Sequence, residues 1–224
     1  MTTTELLAQL ATCVERGKVN AKAPFPPDLK GQDGADELTV QALAAGITPN
    51  DVLTQALMVG MSRVGEKFRD KKIFVPDLLM AARAMNASMV HMQPYFKSAE
   101  VKLRGTIVIG TVAGDLHDIG KKLVAMMLEG AGWKIVDLGT DVPTQKFLDA
   151  VKDNPGCILG MSALLTTTMA SMEESVKKVK EVYPATTVLV GGAPLTQDFA
   201  DKIGADFYSP DPQGAVEYLN KVSA

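Results

Sequence analysis

The chain has 224 residues, enough for two domains, and its composition of 46% hydrophobic and 22% charged residues is that of an ordinary globular protein. A net charge of −3 offers no basic surface for nucleic acid, and the longest apolar runs are too short to cross a membrane. The chain starts without the features of a signal peptide, and its two cysteines, Cys13 and Cys157, form no C-x-x-C motif. We therefore expect a cytoplasmic protein without disulfides and without nucleic-acid or membrane partners.

Helical patterns fill the first part of the chain. Apolar residues recur at helical spacing in four segments, which are separated by glycine and proline. The predicted helices are 2–16, 35–45, 48–68 and 76–97. Gly46 is expected to end the second helix, and Thr48-Pro49 to begin the third. These segments predict a four-helix bundle over residues 1–97, in which 1–34 is a less typical extension.

A polar stretch at 98–104 is predicted to be a linker, and the pattern changes after it. Short apolar runs alternate strictly with helical segments, which is typical of a parallel sheet with helices on both faces. The predicted strands are 106–112, 134–138, 157–161, 187–191 and 206–208. The predicted helices are 118–131, 144–153, 168–183, 196–203 and 213–223. We expect an α+β two-domain protein, in which a helical cap precedes a flavodoxin-like, Rossmann-type doubly wound sheet over residues 105–224.

The stretch 114–120, Gly-Asp-Leu-His-Asp-Ile-Gly, follows the first predicted strand and precedes a helix. In a doubly wound sheet this loop lies at the carboxyl edge, where ligands bind. It holds His117, one of two histidines in the chain, with Asp115 two residues before it. A histidine with a carboxylate in reach can ligate a metal, because the carboxylate fixes its tautomer and raises its basicity.

Two further loops are expected at the same edge. One runs from Ser162 to Thr168 and is rich in hydroxyl groups, and the other contains Gly191 and Gly192, where a ligand could approach the backbone closely. The three loops together suit a large ligand that carries a metal and a polar tail.

The spacing of these residues resembles that of a known family. Asp115, His117 and Gly120 form D-x-H-x-x-G; S-x-L follows after 41 residues and G-G after another 26. This resembles the cobalamin-binding signature of methionine synthase and of the corrinoid proteins of anaerobic methyltransferase systems. The segments 65–68, 74–77 and 81–85 resemble the cap bundle of that family, and the resemblance covers residues 35–224.

The resemblance implies base-off cobalamin with His117 as the lower axial ligand of cobalt and Asp115 hydrogen-bonded to its other ring nitrogen. Thr168 stands where methionine synthase has a serine that completes this relay, and proton uptake by the pair would weaken ligation. Phe68 and Val75 would cover the upper face of the cofactor. The residues expected to bind the cofactor are Asp115, His117, Gly120, Ser162, Leu164, Thr166, Thr168, Gly191, Gly192, Phe68 and Val75.

A protein of this family would be non-catalytic alone and would shuttle a methyl group on cobalamin, which alternates between methylcobalamin and Co(I). Its implied partners are a substrate-specific methyltransferase, an acceptor methyltransferase that serves tetrahydrofolate or coenzyme M, and a reductive activase. The methyl donor stays open among methanol, methylamines, methoxylated aromatics and betaines. A cobalamin-dependent sensor or regulator is the main alternative, although residues 1–34 are too short and insufficiently basic for a DNA-binding module.

Other interpretations of the whole chain and of single residues are also open. The small subunit of an adenosylcobalamin mutase would resemble 105–224 but lack the cap, and a metal-free flavodoxin-like domain would leave the three-loop agreement as coincidence. Asp118 is expected in the first turn of its helix, where the helix dipole favours a carboxylate, and His91 is expected to be an ordinary helix residue. Thr167 or Thr168 is expected to cap the following helix.

Overall fold

The structure is a computed structural model that describes residues 2–98 and 101–222. The chain forms two compact units: a helical unit of residues up to 103 together with 130–132, and a sheet unit of 104–129 and 133 onwards. Residues 99 and 100 of the predicted linker and residue 223 of the last predicted helix lie outside the described residues. Within the described part of the chain, no helix is long and apolar enough to cross a membrane.

The four predicted helices of the helical unit are confirmed. Helix α3 runs continuously through three segments, of which the middle one is π-helical rather than α-helical. That π-helical segment buries four of its six residues, and a pattern of apolar residues cannot distinguish its wider turn from an α-helical one. The helices are α1 (Thr3–Glu15), α2 (Ala35–Ala44), α3 (Pro49–Asp51, Val52–Leu57, Met58–Arg69) and α4 (Val75–Lys97).

Helix α1 lies in the segment that we expected to be a less typical extension, yet it packs within the bundle. Leu10 and Val14 are fully buried, and a Cβ at Gly60 of α3 would lie 2.7 Å from the carbonyl oxygen of Ala11. Such close approach of two helices requires glycine at position 60. The predicted end of α2 and the predicted start of α3 are confirmed. Gly46, directly after α2, adopts a left-handed conformation, and the Thr48 hydroxyl accepts the N–H of Asp51 at the start of α3.

The sheet unit contains five parallel strands in the order β2-β1-β3-β4-β5, which is the flavodoxin-like order, so the predicted fold class is confirmed. The strands are β1 (Thr106–Thr111), β2 (Lys134–Asp137), β3 (Ile158–Ser162), β4 (Val188–Gly191) and β5 (Phe207–Ser209). The helices are α5 (Ile119–Gly130), α6 (Thr144–Asp153), α7 (Met169–Val182), α8 (Gln197–Ile203) and α9 (Pro212–Val222).

Several predicted boundaries of strands and helices were wrong by a residue or two. β1 ends at Thr111, and Ser162, expected in a loop, is the last residue of β3, where it pairs with Thr111 and Gly191. A 3-10 turn, Thr166–Thr168, precedes α7. After β1 the chain adds β2 on one side and β3 on the other, so the switch point of the sheet lies between β1 and β3, and ligands of doubly wound sheets bind at such a point.

Candidate functional site

Asp115 is the centre of the site at the switch point, and its side chain is fully buried. Its Oδ1 accepts hydrogen bonds from the backbone N–H of His117 (3.0 Å) and from the ring Nδ1 of the same residue (2.8 Å). Its Oδ2 accepts the backbone N–H groups of Leu164 (2.7 Å) and Leu165 (3.3 Å) and the hydroxyl of Thr168 (2.8 Å). One carboxylate therefore joins the histidine loop (residues 112–118) to the loop after β3.

These hydrogen bonds keep Asp115 ionised. Burial disfavours a charged carboxylate, but the N–H donors of Leu164 and His117, the His117 ring and the Thr168 hydroxyl together hold the pKa of Asp115 well below its ordinary value. An ionised carboxylate has no hydrogen to donate, so Nδ1 of His117 must carry the proton of the hydrogen bond. In the neutral imidazole the lone pair then lies on Nε2, which is the form that binds a metal.

The His117 side chain itself is 51% exposed, in contrast to the buried carboxylate behind it. Its backbone is held as well, because the buried Thr111 hydroxyl donates to the carbonyl oxygen of His117 at 2.9 Å. An exposed ring on a fixed backbone, with its tautomer set by the carboxylate, leaves Nε2 accessible and able to bind a metal.

Large apolar side chains are exposed around this histidine. Leu116 and Ile119 are 73% and 70% exposed, and Leu164 and Leu165, on the loop joined to it through Asp115, are about two-fifths exposed. A single exposed leucine needs no explanation, but four such residues in the two joined loops and at the start of α5 mark a surface that a ligand can cover.

The three predicted glycines have different surroundings. A Cβ at Gly120 would meet no atom within 4 Å, so this position faces open space, and a Cβ at Gly191 would touch only the carbonyl oxygen of Ser209 at 3.4 Å. Gly192 has φ +141°, and a Cβ there would lie 1.8 Å from the carbonyl oxygen of Ala163. Packing of the protein backbone therefore already requires glycine at 192, whether or not a ligand is bound.

The hydroxyl groups between the end of β3 and the start of α7 differ in burial and in their hydrogen-bond partners. Ser162 is half-buried at the end of β3, and Thr166 is exposed. The expectation that Thr167 or Thr168 caps α7 was wrong for Thr168, because the hydroxyl of this N-cap residue makes no cap hydrogen bond. It lies against Asp115 and the carbonyl oxygen of Leu165 instead.

Phe68 and Val75 lie in the helical unit, at the end of α3 and the start of α4, and both are half-buried. His91 is a residue of α4, as predicted, and its Nε2 lies 2.5 Å from Oδ1 of Asp36. Asp118, directly before α5, forms an ion pair with Lys122 one turn further on.

Sequence reasoning missed two contributors to the site. One is the pair of backbone N–H groups at Leu164 and Leu165, which no side-chain motif reveals. The other is Asp141, whose carboxylate accepts the N–H of Gly114. The turn-forming stretch 139–141 directly after a predicted strand was an available signal for the second.

The residues present fit a metal that arrives within a large organic cofactor: one imidazole nitrogen, an apolar surface beside it and open space at Gly120. Two family models, each described as a B12 binding domain, match residues 105–216 and 32–92. The chain belongs to the B12-binding corrinoid protein family. The cofactor expected from the sequence, cobalamin, is therefore confirmed for this corrinoid protein.

Curated relatives and solved structures agree with this assignment. Trimethylamine corrinoid protein 1 of Methanosarcina acetivorans is 44% identical over 85% of this chain and 88% of its own, and the dimethylamine corrinoid protein of Methanosarcina barkeri is 36% identical over the full length of both. One chain of the methanol:cobalamin methyltransferase complex of M. barkeri matches 98% of this chain and 80% of its own length, with a TM-score of 0.82 and 30% identity. A cobalamin-binding protein from Desulfitobacterium hafniense matches 96% and 97%, with a TM-score of 0.72 and 28% identity.

Proposed function

We propose that this protein carries a methyl group on cobalamin between two methyltransferases, and that His117 is the lower ligand of the cobalt. The observation that supports this most directly is the ionised, buried Asp115, which leaves the Nε2 lone pair of an exposed imidazole available for a metal. Cobalamin supplies the cobalt on which a methyl group is held and from which it is transferred. The chain's own residues hold the cofactor, orient the imidazole and exclude water.

In this proposal each residue of the site has a definite task. Asp115 and Thr168 hold the imidazole, and the exposed side chains of Leu116 and Leu165 contact the apolar part of the cofactor. Gly120 leaves room for the cofactor because nothing lies within 4 Å of a Cβ built there. The residues assigned to the polar tail are Ser162, Leu164, Thr166, Gly191 and Gly192. Phe68 and Val75 are assigned to the other face of the cofactor. They belong to the cap, residues 1–97, which the linker at 98–104 follows.

The partners are proposed from the relatives. Similarity to a solved methanol:cobalamin methyltransferase complex supports a substrate-specific methyltransferase as one partner. The names of the trimethylamine and dimethylamine corrinoid proteins favour a methylamine as the methyl donor. An acceptor methyltransferase that serves tetrahydrofolate or coenzyme M, together with a reductive activase, completes the proposed system.

The first test is the visible spectrum of the protein reconstituted with hydroxocobalamin. Wild type should retain the cofactor after desalting, with the spectrum of cobalamin whose own base is replaced by histidine. His117→Ala should lose that spectrum, and added imidazole should restore it. The matched control is His91→Gln, which changes the second histidine of the chain and should leave the spectrum unchanged. A folded wild-type protein that stays colourless would refute the proposal.

The carrier role needs a second experiment. The loaded protein should change its spectrum when a methylamine is supplied together with the methyltransferase for that amine, and the methyl group should then reach a thiol or folate acceptor only when the acceptor enzyme is added. Methyl transfer from the amine to the acceptor at the same rate without this protein would contradict a carrier role.

A further inference from the structure

The loop after β2 (residues 138–143) contacts the histidine loop directly, and the proposed function makes no use of it so far. The backbone N–H of Thr111 donates to the carbonyl oxygen of Gly139 at 3.0 Å, and Val112 pairs with Val142 in an isolated bridge. The two loops therefore run side by side at the carboxyl edge of the sheet, from the end of β1 to the start of the relay.

Asp141 makes two reciprocal hydrogen bonds across this boundary. Its Oδ1 accepts the backbone N–H of Gly114 at 2.7 Å, and its own backbone N–H donates to the carbonyl oxygen of Asp115 at 2.9 Å. The residue is exposed and contributes nothing to the apolar core. Its hydrogen bonds hold the Gly114–Asp115 dipeptide at both ends.

The backbone of Asp141 is in the left-handed region, with φ +52°. This conformation is uncommon for a residue with a side chain, and glycine adopts it at a lower energetic cost. A glycine at position 141 would satisfy the turn but would leave the N–H of Gly114 without its carboxylate acceptor. The presence of aspartate at a position that suits glycine indicates that the acceptor matters.

The position of this dipeptide sets the position of the relay. Asp115 has a short side chain, so any shift of its backbone moves its carboxylate by a similar distance. That carboxylate must meet Nδ1 of His117 on one side and donors from the β3–α7 segment on the other.

We propose that Asp141 is a positioning residue for the Asp115–His117 pair: it fixes the backbone that carries the Asp115 carboxylate, and thereby the orientation of the cobalt-binding imidazole. This inference rests on the proposed function for its effect on cobalt binding. The two hydrogen bonds that join Asp141 to Gly114 and Asp115, here called the Asp141 clamp, are a property of the protein without cofactor. Asp141 acts on the imidazole through its hydrogen bonds to Gly114 and Asp115.

The first experiment measures amide hydrogen exchange of Gly114 in the cofactor-free protein. Asp141→Gly keeps the backbone conformation and removes the acceptor, so exchange at Gly114 should become about tenfold faster or more. Asp141→Asn keeps an acceptor oxygen and tolerates the left-handed conformation, so exchange should stay within about threefold of wild type. Equal exchange rates at Gly114 in wild type and Asp141→Gly would overturn the inference.

The second experiment measures the fraction of bound cobalamin that has histidine on cobalt. Asp141→Gly should lower this fraction and speed cofactor release, whereas Asp141→Asn should retain wild-type values. The matched control is Asp149→Ala, which removes an exposed carboxylate from α6 and should change neither quantity. Circular dichroism of each variant checks that the fold is intact.

The possible outcomes separate this inference from the proposed function. If wild type does not bind cobalamin, the proposed function fails, and amide hydrogen exchange at Gly114 still decides whether the Asp141 clamp exists. If wild type binds with His117 on cobalt and Asp141→Gly does so equally, the positioning role is overturned and the proposed function stands. If Asp141→Asn is as defective as Asp141→Gly, the acceptor is not what matters, and the inference is also overturned.

Discussion

Replacing Thr168 by valine tests whether its hydroxyl holds the buried carboxylate of Asp115. Valine keeps the branched shape of threonine, so the side chain, which is only 5% exposed, leaves no cavity. The variant loses the 2.8 Å hydrogen bond to Oδ2, while the backbone donors of Leu164 and Leu165 remain. Thr168→Val therefore isolates one contact within the relay.

The expected cost follows from the charge and burial of the acceptor. A hydrogen bond to a charged group contributes about 1.5–3 kcal/mol. Because two backbone donors still reach the same oxygen, we expect the lower part of that range, a loss of about 2 kcal/mol. The matched control, Thr168→Ser, keeps the hydroxyl and removes one methyl group, which should cost about 0.8 kcal/mol.

The free energy of unfolding can be measured by urea denaturation followed by fluorescence. Trp133 is the single tryptophan of the chain, is buried and belongs to the sheet unit, so its emission reports on that unit. A double-mutant cycle with Asp115→Ala then gives the coupling energy between the two side chains, expected to be about 1–1.5 kcal/mol. Once the carboxylate is absent, the valine substitution should cost only about 0.5–1 kcal/mol.

Two results would refute this reasoning. A serine variant as unstable as the valine variant would mean that the methyl group, and not the hydroxyl, stabilises the sheet unit. A coupling energy near zero would mean that the hydroxyl acts through the carbonyl oxygen of Leu165, its other neighbour at 2.9 Å, rather than through Asp115.

Three further predictions concern α5 and its neighbours. Gly120→Ala should stabilise the cofactor-free protein by about 0.5–1 kcal/mol, because alanine favours a helix and its Cβ would meet no other atom. The same Cβ should weaken cobalamin binding, because it would occupy space assigned to the cofactor. Unchanged cobalamin affinity in an equilibrium titration would contradict this assignment. Burial raises the pKa of Glu129 above its ordinary 4.5, so ionisation destabilises the fold, and the penalty appears as pH rises through the raised pKa. Glu129→Gln should therefore resist urea better than wild type at about pH 7 and equally at about pH 3; a constant difference would disprove this. Lys121 is buried and pairs with the partly exposed Asp137. Asp137→Asn leaves the buried lysine charge unpaired and should lower the free energy of unfolding by about 3 kcal/mol, whereas Lys121→Met, which removes that charge, should lower it by about 1 kcal/mol. Urea denaturation followed by Trp133 fluorescence measures both, and a larger loss in Lys121→Met would contradict the prediction.

Much of the fold follows from local patterns in the sequence. Helical spacing predicted α1 to α4, and strict alternation of strands and helices predicted the sheet, because the side-chain periods of helices and strands are set by backbone geometry alone. Asp115 and His117 could also be recognised, since they are two residues apart in a loop that follows a buried strand. Capping signals such as Thr48 needed no knowledge of the fold, because the bond they make spans three residues.

The tertiary structure decided the features that depend on residues far apart in the chain. The Thr168 hydroxyl looked like a helix cap in sequence, but folding brings it to Asp115, 53 residues away, where a buried charge competes for it more strongly. Asp141 reaches Gly114 across 27 residues, and glycine is required at position 192 by the carbonyl oxygen of Ala163, the residue directly after β3. The sequence determined which residues can bind a metal, through their chemistry and local spacing. Which partners hold them in place was decided by the order of parallel strands, because only that order brings separate loops together at one edge of the sheet.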